Sequence, residues 1–251
     1  KFFCTGTQRV EDELLYHFPD VNIERIDSDS ISRKGILGEI LNRFRKGETN
    51  ILVGTQIVAK GLDFSNVTLV GVISAETTLW LPDFRADERT FQLLTQVSGR
   101  AGRSQIEGEV IIQTQNKNHF VLQKVLMNDY DGFYSNEIAL REKNYYPPFT
   151  RLCLVESKDE SEKNARSSIT DFFNVLIKKK AGLIINTPTP ALIAKIKGQY
   201  RFHLLVKSPK ITDPGGKLLR NAITESWIEF NQRSKFSDIR LTIDMDPQGI
   251  I

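Results

Sequence analysis

Short apolar strand signals alternate with amphipathic helix signals through the first half of this chain. The strand signals at 50–53 and 67–74 show little of the apolar–polar alternation of a sheet that is wet on one face. Strand signals fall at residues 2–5, 22–26, 50–53, 67–74 and 109–113. Between them lies a helical pattern at residues 10–18, with Val10, Leu14, Leu15 and Phe18 in register and Pro19 after it. Another at residues 32–46 carries Ile36, Leu37, Ile40, Leu41 and Phe44 on one stripe, with Gly47 at its end. Strands that are apolar on both sides and joined through helices predict an open parallel sheet covered on both faces.

The pattern changes at Tyr145-Tyr-Pro-Pro-Phe149, after two helical segments at residues 118–128 and 131–143. Paired prolines cannot continue a helix and favour extended chain, which predicts a domain boundary there: residues 1–146, then 147–251. The second part reads β-α-β-β-α-β. A strand at 152–157 and a helix at 162–176 come first. Strands at 191–197 and 201–207 follow, flanking a turn at Gly198-Gln199, and then a helix at 217–230 and a strand at 239–244. Residues 182–186 read only as a lead into the hairpin. This order predicts a small α+β domain of the split-βαβ, ferredoxin-like kind. From Pro147 onward 17 Lys/Arg face 11 Asp/Glu, a net +6, against 17 and 20, a net −3, before it. A basic second part beside an acidic first one hints at a nucleic-acid surface.

Two glycine-bearing motifs stand out. The first is Gly54-Thr-Gln-Ile-Val-Ala-Lys-Gly-Leu-Asp-Phe64, and the second is Gln96-Val-Ser-Gly-Arg-Ala-Gly-Arg103. Arg100 and Arg103, three apart on a helix, share one face, and the glycines beside them allow close approach of another surface. Two forked, permanent cations suit a polyphosphate whose charge grows during phosphoryl transfer. An isolated pair at that spacing would read as a surface salt-bridge ladder; the motif before it argues for the nucleotide. Gly54 and Thr55 end a strand at the carboxyl edge of a sheet, where ligands bind in open α/β folds. Thr7, Gln8 and Arg9 open a helix and are placed either to hold a phosphate or simply to cap it.

The remaining composition excludes more than it suggests. No apolar run is long enough to span a bilayer, and the start resembles no signal peptide, so a cytoplasmic protein without membrane contact is expected. Cys4 and Cys153 are too few for a disulfide framework or a zinc site and are expected to be buried thiols, with no metal site in the chain. His17, His119 and His203 form no constellation. There is no GxxxxGK[ST] phosphate loop and no acidic metal motif after a strand. The start, Lys1-Phe-Phe-Cys, reads as mid-strand, and the chain is expected to be a fragment of a longer protein.

In order, these segments resemble the second RecA-like lobe of superfamily 2 helicases. They are similar in particular to the bacterial primosomal replication-restart helicases, the primosomal protein N′ family. The strings "GTQRVEDEL", "RIDSD", "RKG", "GTQIVAKGLDF", "VTLVGV", "LPDFRADERTFQLLTQVSGRAGR", "GEVIIQT", "YYPPF" and "DMDPQ" carry the resemblance over nearly the whole chain, more loosely in its second part.

It implies the C-terminal half of an ATP-dependent 3′-to-5′ DNA helicase acting in replication restart and primosome assembly. Arg100 and Arg103 would be its arginine fingers, with Gln96, Gly61 and Asp63 at the nucleotide. Gly54, Thr55, Thr7, Gln8 and Arg9 would lie on the DNA backbone. Gln96 could also be a plain helix-surface glutamine and Asp63 a turn cap, while Lys60 is open between phosphate contact and solvated surface. ATP and Mg²⁺ would be held mainly by a first lobe, and zinc by cysteines upstream of Lys1. DNA forks and single strands, the single-stranded-DNA-binding protein and other primosome proteins are the implied partners, in a nucleoid-associated setting.

In the second part, Lys195, Lys197 and Arg201 flank the hairpin turn with Tyr200 and Phe202 among them. That interleaving suits single-stranded DNA, though an ordinary half-buried hairpin produces the same string. Two other readings remain: a different superfamily 2 motor, or a non-catalytic module that binds DNA or protein.

Overall fold

The computed structural model describes residues 6–27, 35–55, 67–99, 108–179, 182–233 and 239–250. They form two compact units. One comprises Lys1–Trp80 and Asp87–Tyr130, the other Leu81–Ala86 and Asp131–Ile251.

In the first unit, helix α1 (Thr7–His17) leads to strand β1 (Ile23–Ile26), helix α2 (Ile36–Lys46) and strand β2 (Ile51–Gly54). β1 and β2 pair in parallel, Ile23 opposite Ile51 and Ile26 opposite Gly54. The apolar stripe of α2 supplies Ile40 and Leu41 to a cluster with Ile26, and Ile36, Leu37 and Leu52 close around it. The helix is stopped by Gly47 at φ 75°; its amide and that of Glu48 return to the carbonyls of Phe44 and Arg43, as in a glycine C-cap. Three cations in the last turn complement the helix dipole.

A second parallel pair joins strand β3 (Leu69–Val72) to strand β4 (Glu109–Ile112), Leu69 opposite Glu109. A one-turn helix α3 (Glu76–Leu79) follows β3, and helices α4 (Ala86–Ser98) and α5 (Phe120–Leu126) complete the series up to the long helix α6 (Tyr130–Lys143). Glu76 is buried, and its Oε1 accepts bonds from the Thr114 hydroxyl at 2.5 Å and the Gln115 amide at 2.6 Å. Burial alone would raise its pKa, but these bonds outweigh it and hold the carboxyl below its usual range.

The second unit is one antiparallel sheet under two helices. Strand β5 (Thr150–Asp159) lies between strand β9 (Arg240–Met245) and strand β8 (Gln199–Pro209); strands β6 (Ile184–Ile185) and β7 (Thr189–Ile196) both pair with β8. Residues 182–186 thus do more than lead into the hairpin. Ile184 and Ile185 extend the sheet by pairing with Lys207 and Val206. Helices α7 (Glu162–Leu176) and α8 (Lys217–Arg233) bury Ile169, Phe172, Leu219, Ile223 and Phe230 against Cys153, Val155, Phe202, Leu204 and Val206. These strand residues alternate with period two, so one sheet face is the core. Cys153 is fully buried, and burial, then the nearby Asp244 and Asp246 charges, push its thiol up to about 12. It is an inert structural thiol, as expected; Cys4 lies outside the described residues.

The hairpin turn sits one residue earlier than the sequence suggested. Lys197 and Gly198 occupy the two central positions at φ 48° and 85°, between paired Ile196 and Gln199. Two positive φ values make this a type I′ turn, which matches the right-handed twist of the strands it joins.

Candidate nucleotide and nucleic-acid interface

One edge of the first unit gathers several of the expected contacts. The Thr7 hydroxyl, at the start of α1, donates to Asp27 Oδ2 at 2.7 Å, just past the end of β1. The Thr55 amide, just past β2, approaches the Ile26 carbonyl at 3.4 Å. The start of α1 and the Gly54–Thr55 corner are therefore tied to the same carboxyl end of a parallel pair, where such folds bind ligands. Gly54, Thr55, Gln8 and Arg9 are exposed there. Gly6 caps α1 without a side-chain bond, so the helix opens with its own amides. Arg9 pairs with Glu13 at 3.1 Å, both largely exposed, a weak interaction that competes little with a phosphate.

Asp27 and Arg25 were not singled out by motif reasoning, yet they organise this edge. Asp27 is buried and takes Arg25 Nη1 at 3.0 Å, while Arg25 Nε reaches Glu11 at 3.1 Å. Arg25 thereby offsets the Asp27 carboxylate, which also accepts the Thr7 hydroxyl. The signal was present in the string "RIDSD", where a charged pair brackets the last strand residue.

Gln96 lies exposed in the last turn of α4, whose inner face buries Phe91, Leu94 and Val97. Gly99 follows, with its amide on the Thr95 carbonyl at 3.0 Å. Arg100, Arg103, Lys60, Gly61 and Asp63 lie outside the described residues.

In the second unit, Lys195, Lys197 and Arg201 part company. Lys195 is exposed, with Nζ 4.3 Å from the centroid of the Tyr200 ring, and Lys197 projects from the turn. Arg201 is different: its Nε and Nη2 both lie 2.6 Å from Glu156 Oε2, and its side chain is 14% exposed. Lys158 Nζ takes Oε1 at 2.6 Å and His203 Nε2 lies 2.9 Å from Oε2. Burial would raise the pKa of Glu156, but bonds from His203, Lys158 and Arg201 hold it down at about 2. An arginine in a charge-assisted pair this short is committed to its carboxylate. Phe202 is also withdrawn, being 3% exposed in the core, so Tyr200 is the aromatic left beside the lysines.

A third constellation went unnoticed in the sequence because its parts lie far apart. Phe84 stacks on Tyr146, centroids 5.0 Å apart and planes 7° from parallel. The Arg141 guanidinium covers the outer side of the pair at 5.5 Å from Phe84, and Lys207 Nζ sits 3.6 Å from the centre of Tyr146. Lys207 is buried and donates to the Asn144 carbonyl at 2.9 Å; burial lowers its pKa.

Among the described residues no three His, Cys, Asp or Glu side chains converge as metal ligands, and no helix is long and apolar enough to cross a membrane. The donor set that zinc would need is therefore not assembled among them.

The strand-end geometry of the first unit coincides with a family match. Residues 2–105 match the helicase conserved C-terminal domain, which makes this a RecA-like lobe, and residues 142–248 match the primosomal protein N C-terminal domain. The replication restart protein PriA of Bacillus subtilis (strain 168) is 43% identical over 251 residues, covering 98% of this chain and 30% of that protein. Its namesake in Synechocystis is 44% identical over 257 residues, covering 100% and 29%. The Haemophilus influenzae protein is 39% identical over 250 residues, covering 98% and 33%. The chain belongs to the PriA replication-restart helicase family and corresponds to the C-terminal part of these proteins. It spans about a third of the length of the curated relatives it matches.

Proposed function

We propose that this chain is the C-terminal motor lobe and accessory domain of an ATP-dependent 3′-to-5′ DNA helicase that restarts replication at forks. The observation that carries the reading is the succession of a helicase C-terminal match and a primosomal-protein C-terminal match in one chain. Residues 1–146 form the lobe and 147–251 the accessory domain. The strand order β9–β5–β8–β7, antiparallel throughout with both helices on one face, supports a ferredoxin-like fold for the latter.

In this reading Arg100 and Arg103 reach the γ-phosphate of ATP when a cleft with the first lobe closes. Gln96, Gly61 and Asp63 line the nucleotide. Gly54, Thr55, Thr7, Gln8 and Arg9 hold the DNA backbone through phosphates, which position a strand without reading it. Such sequence-blind contacts suit a motor that walks along arbitrary DNA. ATP and Mg²⁺ are bound chiefly by the first lobe, zinc by cysteine pairs of the longer protein. Single-stranded-DNA-binding protein and other primosome components are its protein partners in the cytoplasm, at the nucleoid.

The chain on its own should then show no ATP hydrolysis above background, with or without single-stranded DNA, because it carries no phosphate-loop sequence. Turnover by the purified chain that rises with added single strands would overturn this division of labour.

The hairpin tip makes a narrower claim. Lys195 and Lys197 each neutralise one phosphate of a single strand, with Tyr200 offering a stacking face; Arg201 serves the Glu156 cluster first. Fluorescence anisotropy across a salt series should show the log–log slope flatten by roughly 1.4 in the Lys195→Ala, Lys197→Ala double variant, at about 0.7 per contact. Arg201→Ala should change stability more than slope. An unchanged slope in the lysine variant would move the contact surface elsewhere.

A further inference from the structure

Helices α7 and α8 cover one face of the sheet in the second unit, and strand register fixes what the other face carries. Leu241, Val155 and Phe202 belong to the core under the helices. Alternation along β9, β5 and β8 therefore turns Arg240, Lys158 and Arg201 away from it. Lys158 stands opposite Arg240 of β9 on one side and opposite Arg201 of β8 on the other. Three cations lie in one row across three adjacent strands, over about 10 Å at roughly 4.8 Å per strand step.

Directly opposite side chains are about 5 Å apart, where like charges destabilise a sheet. One carboxylate answers the row. Glu156, two positions before Lys158 on the same strand and face, takes Lys158 Nζ on Oε1 and Arg201 Nη2 on Oε2, each at 2.6 Å. Three cations against one carboxylate leave an excess of two positive charges. Arg201 is withdrawn at 14% side-chain exposure, whereas Lys158 keeps 33% and Arg240 is exposed. Among the described residues neither Asp244 of β9 nor Glu160, just past β5, pairs with Arg240. Asp244, four residues along the strand, is about 13 Å away by strand rise. The third cation thus adds repulsion to the sheet and takes no carboxylate partner among its described residues.

We propose that Arg240 and Lys158 form a backbone contact for duplex DNA, with the Glu156–Arg201 pair holding Lys158 in place. The proposal rests on the reading of this chain as part of a DNA helicase. Charge complementarity selects an anion, and the composition of the face selects its form. Phe, Tyr and Trp are absent from the β5, β8 and β9 positions that turn away from the helices, so those strands offer no such ring for a base to stack on. A duplex turns its bases inward and presents phosphates, which these two cations meet without reading sequence. Lys158 spends one ammonium proton on Glu156 and keeps the others for a phosphate oxygen. The arrangement is separate from the hairpin tip. Lys195 stands opposite Tyr200, which packs against the core, so both lie on the helix side of the sheet.

The test uses the full-length protein without nucleotide. Fluorescence anisotropy follows a labelled blunt duplex and a single strand of the same length, each across a salt series. Arg240→Gln and Lys158→Gln remove the charge but keep most of the side-chain length. Together they should flatten the duplex log–log slope by about 1.8, at about 0.9 per phosphate, and each alone by about half of that. The urea midpoint of the second unit should stay the same or rise in Arg240→Gln, because a like-charge neighbour has been removed. A duplex slope unchanged within about 0.5 in the double variant would overturn the proposal, as would flattening with the single strand alone. A fall in the Arg240→Gln midpoint would overturn it too, by making Arg240 a structural residue. If the unvaried protein bound neither duplex nor single strand at low salt, the helicase reading itself would have failed. If it bound both and the duplex slope ignored the substitutions, only the sheet-face site would have.

Discussion

Arg100→Ala in the full-length protein is expected to lower DNA-stimulated ATP hydrolysis at least 10³-fold while leaving ground-state ATP affinity within about tenfold. A cation delivered to the γ-phosphate on cleft closure meets charge that develops mainly in the transition state, and only such differential binding accelerates the chemical step. A finger of this kind contributes about 4–7 kcal/mol to barrier lowering. The steady-state rate and a titration with a slowly hydrolysed ATP analogue check both halves of the expectation. A parallel fall in affinity and rate would make Arg100 a binding residue.

The second large effect is on stability. Glu156→Gln should destabilise the second unit by about 3 kcal/mol, because it leaves the Arg201 guanidinium, 14% exposed, without its counter-charge. Urea unfolding followed through Trp227, which packs against the core of that unit, should show the midpoint fall with the slope unchanged.

The same cluster sets a pH dependence. The carboxyl pKa is about 2 in the folded chain against 4.5 as its ordinary value. The stabilisation it brings is therefore complete above about pH 4.5 and is lost as pH falls toward 2. The shift corresponds to about 3 kcal/mol. Glu156→Gln should abolish that share of the acid sensitivity. A loss under about 1 kcal/mol, with the acid limb intact, would mean that solvent screens the cluster as at an ordinary surface pair.

What the sequence disclosed follows the range of its signals. Helix α7 was legible to the residue, because an apolar stripe at helical spacing is a local feature. The β-α succession of the first unit was legible for the same reason, and the motif strings named the family before any geometry was known. The hairpin turn was misplaced by one residue, since Lys197 takes a positive φ that the lysine itself does not announce. The Arg201–Glu156 ion pair was not legible, because Glu156 lies 45 residues away on β5, diagonal to Arg201 in the β5–β8 register. Phe202 read as an aromatic among cations, but its place in the alternation points it into the core. The Phe84–Tyr146 stack was invisible for a related reason: nothing local marks Phe84 as belonging with Tyr146, and only the fold brings the two residues together.

The central claim is that this chain supplies transition-state charge to an ATP site whose other half lies in a separate lobe. It is tested most directly by comparing how Arg100→Ala affects two ligands of the full-length protein at equilibrium. One is a slowly hydrolysed ATP analogue and the other is ADP with aluminium fluoride, a mimic of the transferring phosphoryl group. The claim expects affinity for the analogue to change by no more than about tenfold and affinity for the mimic to fall by at least 10²-fold. Equal losses for both ligands, or no loss for the mimic, would contradict it.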